Sequence, residues 1–226
     1  MGNIESQLTT FEDWTLRLRP GLARDARVVL LLHGWTGDEN SMWAFARDLP
    51  ASAWLIAPRA PHLAASGYSW RIMKAGWPGY DDLRPSAHLL LDLIDRWGVA
   101  NAVDTREVDL VGFSQGAAMC VTFALAYPAR VRRIGVLAGF APPGADQFAP
   151  DRPLEGKQVF VAHGLQDQIV RVEYARLTVG FLQSCGAKVT YCESETGHKL
   201  GAECRHELAT FFGDRGYSSA ANLSHV

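Results

Sequence analysis

Cysteine is scarce in this 226-residue chain, and the four present, Cys120, Cys185, Cys192 and Cys204, include no C-x-x-C pair. Their spacing suits neither a disulfide framework nor a zinc site, so four buried or unpaired thiols are expected. The N-terminus, Met1 to Thr10, lacks the basic stretch and apolar run of a secretory signal, and no segment approaches the ~20 apolar residues of a membrane span. A cytoplasmic protein without a membrane span is therefore expected. Charge shows no bias either: 22 Lys and Arg stand against 24 Asp and Glu. That balance leaves no basic stripe for nucleic acid. No repeat, low-complexity tract or linker divides the chain, so residues 1–226 are expected to fold as one domain, with the polar, turn-rich end 213–226 fraying.

What the sequence does have is alternation. Runs rich in Val, Ile and Leu are separated by amphipathic stretches, which predicts a mostly parallel sheet covered by helices on both faces. The expected strands are Trp14–Leu18 as a leading edge strand, then Val28–Leu32, Ala53–Ala57, Val108–Val111, Ile134–Leu137, Val159–Ala162 and Lys188–Tyr191. Helices are expected at Met42–Leu49, Pro85–Trp97, Gln115–Tyr127, Val172–Ser184 and Ala202–Phe212. One connection, Arg59 to Arg84, is much longer than the usual four to six residues and is rich in aromatics.

The strongest chemical signal is Gly112-Phe113-Ser114-Gln115-Gly116, placed directly between the strand VDLV and a helix rich in small residues. Such a turn holds its serine at strained dihedrals at the carboxyl end of the sheet, and a Cβ at either glycine would collide with a neighbouring strand or helix. A helix N-terminus below Ser114 favours developing negative charge. A serine hydroxyl needs a base. In hydrolases built on this turn an acid follows the nucleophile and the base comes last, each after a later strand. Asp167 fits the acid, just past the strand VFVA; its bland alternative is to cap or precede the next helix. His198 fits the base, immediately after the last expected strand. His33 and His163 end strands and suit framing the site, His62 and His88 precede the nucleophile, His206 lies too far into the last helix, and His225 sits in the polar tail.

An oxyanion hole is also needed. One donor is expected from the backbone N–H of Gln115 and the second from the turn His33 to Asp38, with Trp35 as the contributor. Tyr68, Trp70, Arg71 and Trp77 in the long connection are expected to wall the substrate pocket, with Arg71 and Lys74 meeting a negatively charged substrate end. The competing expectation is that Trp70 and Trp77 pack inward and hold the loop down. No H-E-x-x-H or comparable cluster appears, so neither a metal nor another cofactor is expected.

Four segments carry a resemblance to a known family: LLHGWTGDE (Leu31 to Glu39), GFSQGAA (Gly112 to Ala118), HGLQDQIV (His163 to Val170) and TGHKLGAE (Thr196 to Glu203). In that order, across about three quarters of the chain, they resemble the phospholipase/carboxylesterase family that includes bacterial carboxylesterases and acyl-protein thioesterases. The resemblance implies an α/β-hydrolase fold with a minimal lid or none, a triad of Ser114, Asp167 and His198, and oxyanion donors from Trp35 and Gln115. Arg171 departs from the proline that often follows the valine of the acid motif. Because Gly67 to Arg71 matches the family's aromatic segment only loosely, no particular substrate carries over. The expected reaction is hydrolysis of a small carboxylic ester, with a thioester or lysophospholipid as the alternative. A non-enzymatic binding protein on this fold would be expected to lack a triad member, and a homodimer is left open.

Overall fold

A computed structural model describes residues 6–22 and 26–213. The expected fraying of 213–226 therefore falls almost wholly outside the described residues. Among the described residues, ten strands and four α-helices follow the alternation of the sequence. The strands are β1 (Gln7–Phe11), β2 (Trp14–Arg19), β3 (Val28–Leu32), β4 (Trp54–Pro58), β5 (His62–Leu63), β6 (Tyr68–Ser69), β7 (Val108–Phe113), β8 (Val131–Leu137), β9 (Gln158–Gly164) and β10 (Lys188–Ser194). The helices are α1 (Tyr80–Asn101), α2 (Gln115–Ala126), α3 (Val172–Ser184) and α4 (Ala202–Phe212).

Eight strands form one sheet in the order β1-β2-β4-β3-β7-β8-β9-β10, and β5 with β6 makes a separate two-stranded ribbon. From β4 to β10 the pairing is parallel, whereas β1 with β2 and β2 with β4 pair antiparallel. The inner parallel strands are buried on both faces, which is why they read as largely apolar runs: every residue of VVLLL in β3 is buried, whereas the edge strand β10 is partly exposed. One face packs α1, α2 and α3. The other carries α4 and a 3-10 segment, Ser41–Asp48.

Four expectations need correction. The strand at Trp14–Leu18 is not at the edge, because β1 pairs outside it; QLTTF is largely exposed and shows no apolar alternation to reveal it. Met42–Leu49 is 3-10 rather than α-helical. The helix expected from Pro85 begins five residues earlier at Tyr80, where the Asp82 carboxylate accepts the Gly79 N–H at 2.9 Å and caps the end. Pro85 lies inside the helix as its sixth residue and cannot donate the intrahelical bond to the Asp81 carbonyl, yet the helix continues through it to Asn101.

The fourth concerns cysteine. Cys192 and Cys204 form a disulfide, with Cα atoms 5.7 Å apart, while Cys120 and Cys185 are free and buried. Cys192 lies on the buried side of β10, and after a short loop α4 folds back over the same face with Cys204 inward. A spacing argument cannot see that return, which brings together two thiols 12 positions apart.

Candidate active site

The carboxyl ends of β3, β7, β8, β9 and β10 lie on one edge of the sheet, and each of β3, β7, β9 and β10 hands the chain to a segment that sequence reasoning marked. After β7 comes Ser114, with φ 55° and ψ −117°. This is outside the left-handed helical well and costs a non-glycine residue roughly 1–3 kcal/mol. The turn is held by the Ser114 N–H donating to Leu137 O in β8 at 2.9 Å, and by Ser114 O accepting from Ala117 N–H at 3.0 Å. Its glycines are required sterically: a Cβ on Gly112 would overlap the Gly116 carbonyl at the start of α2, and one on Gly116 would overlap the Leu32 carbonyl in β3. Strand and helix can approach this closely only without those side chains.

The loop after β9 presents Asp167, which is 4% exposed. One carboxylate oxygen, Oδ1, accepts the N–H groups of Ile169 and Val170, both at 2.9 Å. The other, Oδ2, lies 2.6 Å from His198 Nδ1. The bland alternative for Asp167 and the catalytic one thus use different oxygens, and the N-cap of α3 is Arg171 rather than Asp167. His198 stands in the loop between β10 and α4, its ring centroid 4.8 Å from that of Phe113, the residue before Ser114. The loops that carry Asp167 and His198 are bonded directly, Leu165 N–H to Ser194 O at 2.8 Å and Gln166 N–H to Thr196 O at 2.9 Å.

The remaining histidines divide as their positions suggest. His163 is buried, bonded through Nε2 to Val170 O at 2.7 Å, and lies 3.4 Å from Asp167 Oδ2. His33 is also buried: its Nε2 accepts the Ala60 N–H at 3.0 Å, which leaves Nδ1 to donate to Gly34 O at 2.7 Å. Burial holds both rings below the usual imidazole pKa, so both are neutral supports. His62 lies in the β5–β6 ribbon, exposed His88 bonds the Tyr127 hydroxyl at 3.3 Å, and His206 is exposed on α4.

The turn after β3 contains a second strained residue, Thr36 at φ 65°. Next to it, among the described residues, the N–H groups of Trp35 and Gln115 have no backbone acceptor. Both residues line a cavity of about 360 Å³ that includes Ser114.

The long connection does two jobs. Tyr68, Trp70, Arg71 and Trp77 were all expected to wall the pocket, and the cavity reaches only Arg71 and Trp77. Tyr68 instead clamps the turn after β3. Its N–H donates to Gly37 O at 2.9 Å and its carbonyl accepts the Thr36 N–H at 3.0 Å. The Arg59 guanidinium donates to its hydroxyl at 3.1 Å and lies over its ring. Trp70 is completely buried, its indole N–H bonding His33 O at 2.8 Å and its backbone N–H bonding Gln115 Oε1 at 3.0 Å. These aromatics brace the backbone around Trp35 and Gln115. Trp77 is 43% exposed and packs against Phe140 and Tyr174, with centroids 4.4 and 5.0 Å away.

The lining residues Phe140, Ile169 and Val170, outside the long connection, were not among those expected from the sequence. The available signal was position: Phe140 follows the end of β8, and Ile169 and Val170 follow Asp167. Among the described residues no group of three His, Cys, Asp or Glu side chains could hold a metal, and no helix is long and apolar enough to cross a membrane.

Known proteins are similar to this chain in sequence and in fold. The chain is 28% identical to acyl-protein thioesterase 1 of Kluyveromyces lactis over 166 residues, covering 65% of this chain and 72% of that one. It is 34% identical over 140 residues to 2-hydroxy-6-oxononadienedioate/2-hydroxy-6-oxononatrienedioate hydrolase 2 of Pseudomonas putida, covering 60% of this chain and only 43% of the relative. Among solved structures, the Bacillus cereus carboxylesterase superposes with a TM-score of 0.78 at 20% identity, covering 88% of this chain and 93% of that one. The phospholipase/carboxylesterase family model matches residues 18–212. The chain therefore belongs to the phospholipase/carboxylesterase family, has the α/β-hydrolase fold, and is a hydrolase.

Proposed function

We propose that this protein hydrolyses carboxylic esters with Ser114 as nucleophile, His198 as general base and acid, and Asp167 as the group that orients the imidazole. The observation that carries the reading is the 2.6 Å contact between His198 Nδ1 and Asp167 Oδ2, beside a strained serine opening on a pocket. With the Nδ1 proton donated to Asp167, the Nε2 lone pair is left to accept the Ser114 proton. The serine oxygen then bonds the ester carbonyl carbon, and the carbonyl oxygen takes the negative charge against the N–H groups of Trp35 and Gln115. Collapse breaks the bond to the alcohol oxygen, which leaves with the proton held on His198. Water repeats the sequence on the acyl-enzyme: its proton goes to His198, its oxygen joins the acyl carbon, and Ser114 recovers the proton.

Thioesters would use the same groups, and the thioesterase relative keeps that substrate class in view. The test is a panel of p-nitrophenyl esters from acetate to palmitate beside an acyl thioester and a lysophospholipid, with fluorophosphonate labelling. Ser114 should be the sole labelled serine, Ser114→Ala should abolish turnover, and Asp167→Asn should lower kcat by about 10⁴. Labelling at another serine, or activity near wild type in Ser114→Ala, would overturn the assignment.

A further inference from the structure

The pocket beside Ser114 is charged on one side only. Its walls are mostly apolar, with Trp35, Met73, Trp77, Phe140, Ile169 and Val170 among them, and among the described residues its only charged lining residues are two cations, Arg71 and Lys74. Behind them Asp82 provides a single carboxylate. Arg71 Nη1 lies 3.6 Å from Asp82 Oδ2 and has no hydrogen-bond partner although buried; Lys74 Nζ is ion-paired to Oδ1. Asp82 is divided further, since Oδ2 also accepts the Gly79 N–H. The nearby Lys74 ammonium holds the Asp82 carboxyl below its usual pKa, so it is ionised, yet one negative charge faces two positive ones. The surplus positive charge lies at the lip of the pocket, where the Lys74 side chain is 62% exposed.

Arg71 is held in place. Its Nη2 donates to the carbonyls of Lys74 and Gly76, which folds residues 71–76 around the guanidinium. Its own N–H donates to Ser69 Oγ, and Ser69 in turn bonds the side chain of Gln115, the residue after the nucleophile. The cationic side is thus tied through two side chains to the reaction centre. A cavity of about 360 Å³ is near the lower end for ligand sites, so the arm reaching from one to the other is short.

We propose that Arg71 and Lys74 select esters whose acyl arm ends in a carboxylate, that is, half-esters of short dicarboxylic acids. In a pocket with apolar walls the attraction of a carboxylate to these cations is less screened than in water, and the guanidinium offers directed donors while the ammonium swings to meet the ligand. A neutral arm of equal length gains only apolar contact. The inference rests on the ester-hydrolase reading for its reaction but not for its binding preference.

Two measurements separate the reading from the reaction. Hydrolysis of monomethyl and dimethyl glutarate is followed by pH-stat, and binding of the same pair to the Ser114→Ala protein is followed by calorimetry, which needs no turnover. The half-ester should be favoured at least ten-fold in both kcat/KM and affinity. Lys74→Met should lower that ratio at least five-fold, and Asp82→Asn, which removes the compensating charge but can still cap α1, should raise it. Added salt should lower it. Equal binding of the two esters to the Ser114→Ala protein, or a ratio that neither Lys74→Met nor Asp82→Asn moves, would overturn the proposal. Preferential binding without hydrolysis of either ester would leave it standing and defeat the ester-hydrolase reading instead.

Discussion

Reducing the Cys192–Cys204 disulfide should loosen the protein more than it slows it. The bond closes a loop spanning 12 positions between β10 and α4. Chain-entropy reasoning for a loop of that size gives about 3 kcal/mol of stabilisation, through a denatured state that is less free to expand. For a chain of about this length each kcal/mol moves Tm by about 2–4 °C, so reduction should lower Tm by roughly 6–12 °C. The effect on turnover at 25 °C should be smaller, within a few-fold, although His198 sits inside the closed loop. Other bonds keep the loop in place: Ser194 Oγ lies 3.1 Å from Thr196 Oγ1 and accepts the Gly201 N–H at 3.3 Å, and two backbone bonds tie the segment to the acid loop. The assay is thermal unfolding by circular dichroism with and without a phosphine reductant, beside a thiol titration in denaturant. Two thiols should titrate before reduction and four after. Four thiols without reductant, or a Tm that reductant leaves unmoved, would refute the reasoning. A reducing cytoplasm would hold the pair as thiols, so the reduced form is the one to assay if the protein resides there.

Trp70→Ala should cost about 3–5 kcal/mol, because the indole is fully buried and the change also leaves His33 O without its donor. Trp77→Ala should leave Tm nearly unchanged and alter the ranking of ester chain lengths, since the ring is half-exposed at the pocket wall; thermal melts and the p-nitrophenyl panel distinguish the two. Glu39 gives a pH-dependent test. The Arg59 guanidinium bonds both its oxygens, at 2.8 and 3.0 Å, and holds its pKa below the usual glutamate value. A lowered folded-state pKa contributes stability that is fully present above the unfolded value of about 4.3 and is lost as pH falls through the folded value. Glu39→Gln should therefore be destabilised by roughly 1–2 kcal/mol at pH 7. The gap should close in urea melts taken toward pH 3, and a gap constant with pH would contradict the ion-pair account.

The parts of this molecule legible in the sequence are those in which one residue type has one physical reason to be where it is. Strands buried on both faces must be largely apolar, so β3, β7, β8 and β9 could be located within a few residues. The turn at Ser114 must have glycine where strand and helix nearly touch, so Gly112 and Gly116 marked it. Errors arose where a residue has several good uses. Proline is a common helix start, and the helix here instead begins five residues before Pro85 and runs through it. A buried tryptophan and a pocket-wall tryptophan look alike in sequence, and only packing separates Trp70 from Trp77. Cysteine pairing depends on how a helix returns over a strand, which no count of intervening residues reveals.

The same distinction bears on function. Ser114, Asp167 and His198 each follow a strand end, and the parallel sheet brings those ends to one edge whatever the loops contain. The charge of the pocket depends instead on the connection between β4 and α1: on Arg71 folding residues 71–76 around itself, and on Asp82 at the start of α1 offsetting only part of the charge in front of it. A change of one residue at Lys74 or Asp82 would alter that charge without disturbing a strand or the Asp167–His198 contact. Substrate choice can thus shift between relatives that keep the same sheet edge, which is why the preference for an anionic arm has to be sought in this chain's own connection between β4 and α1.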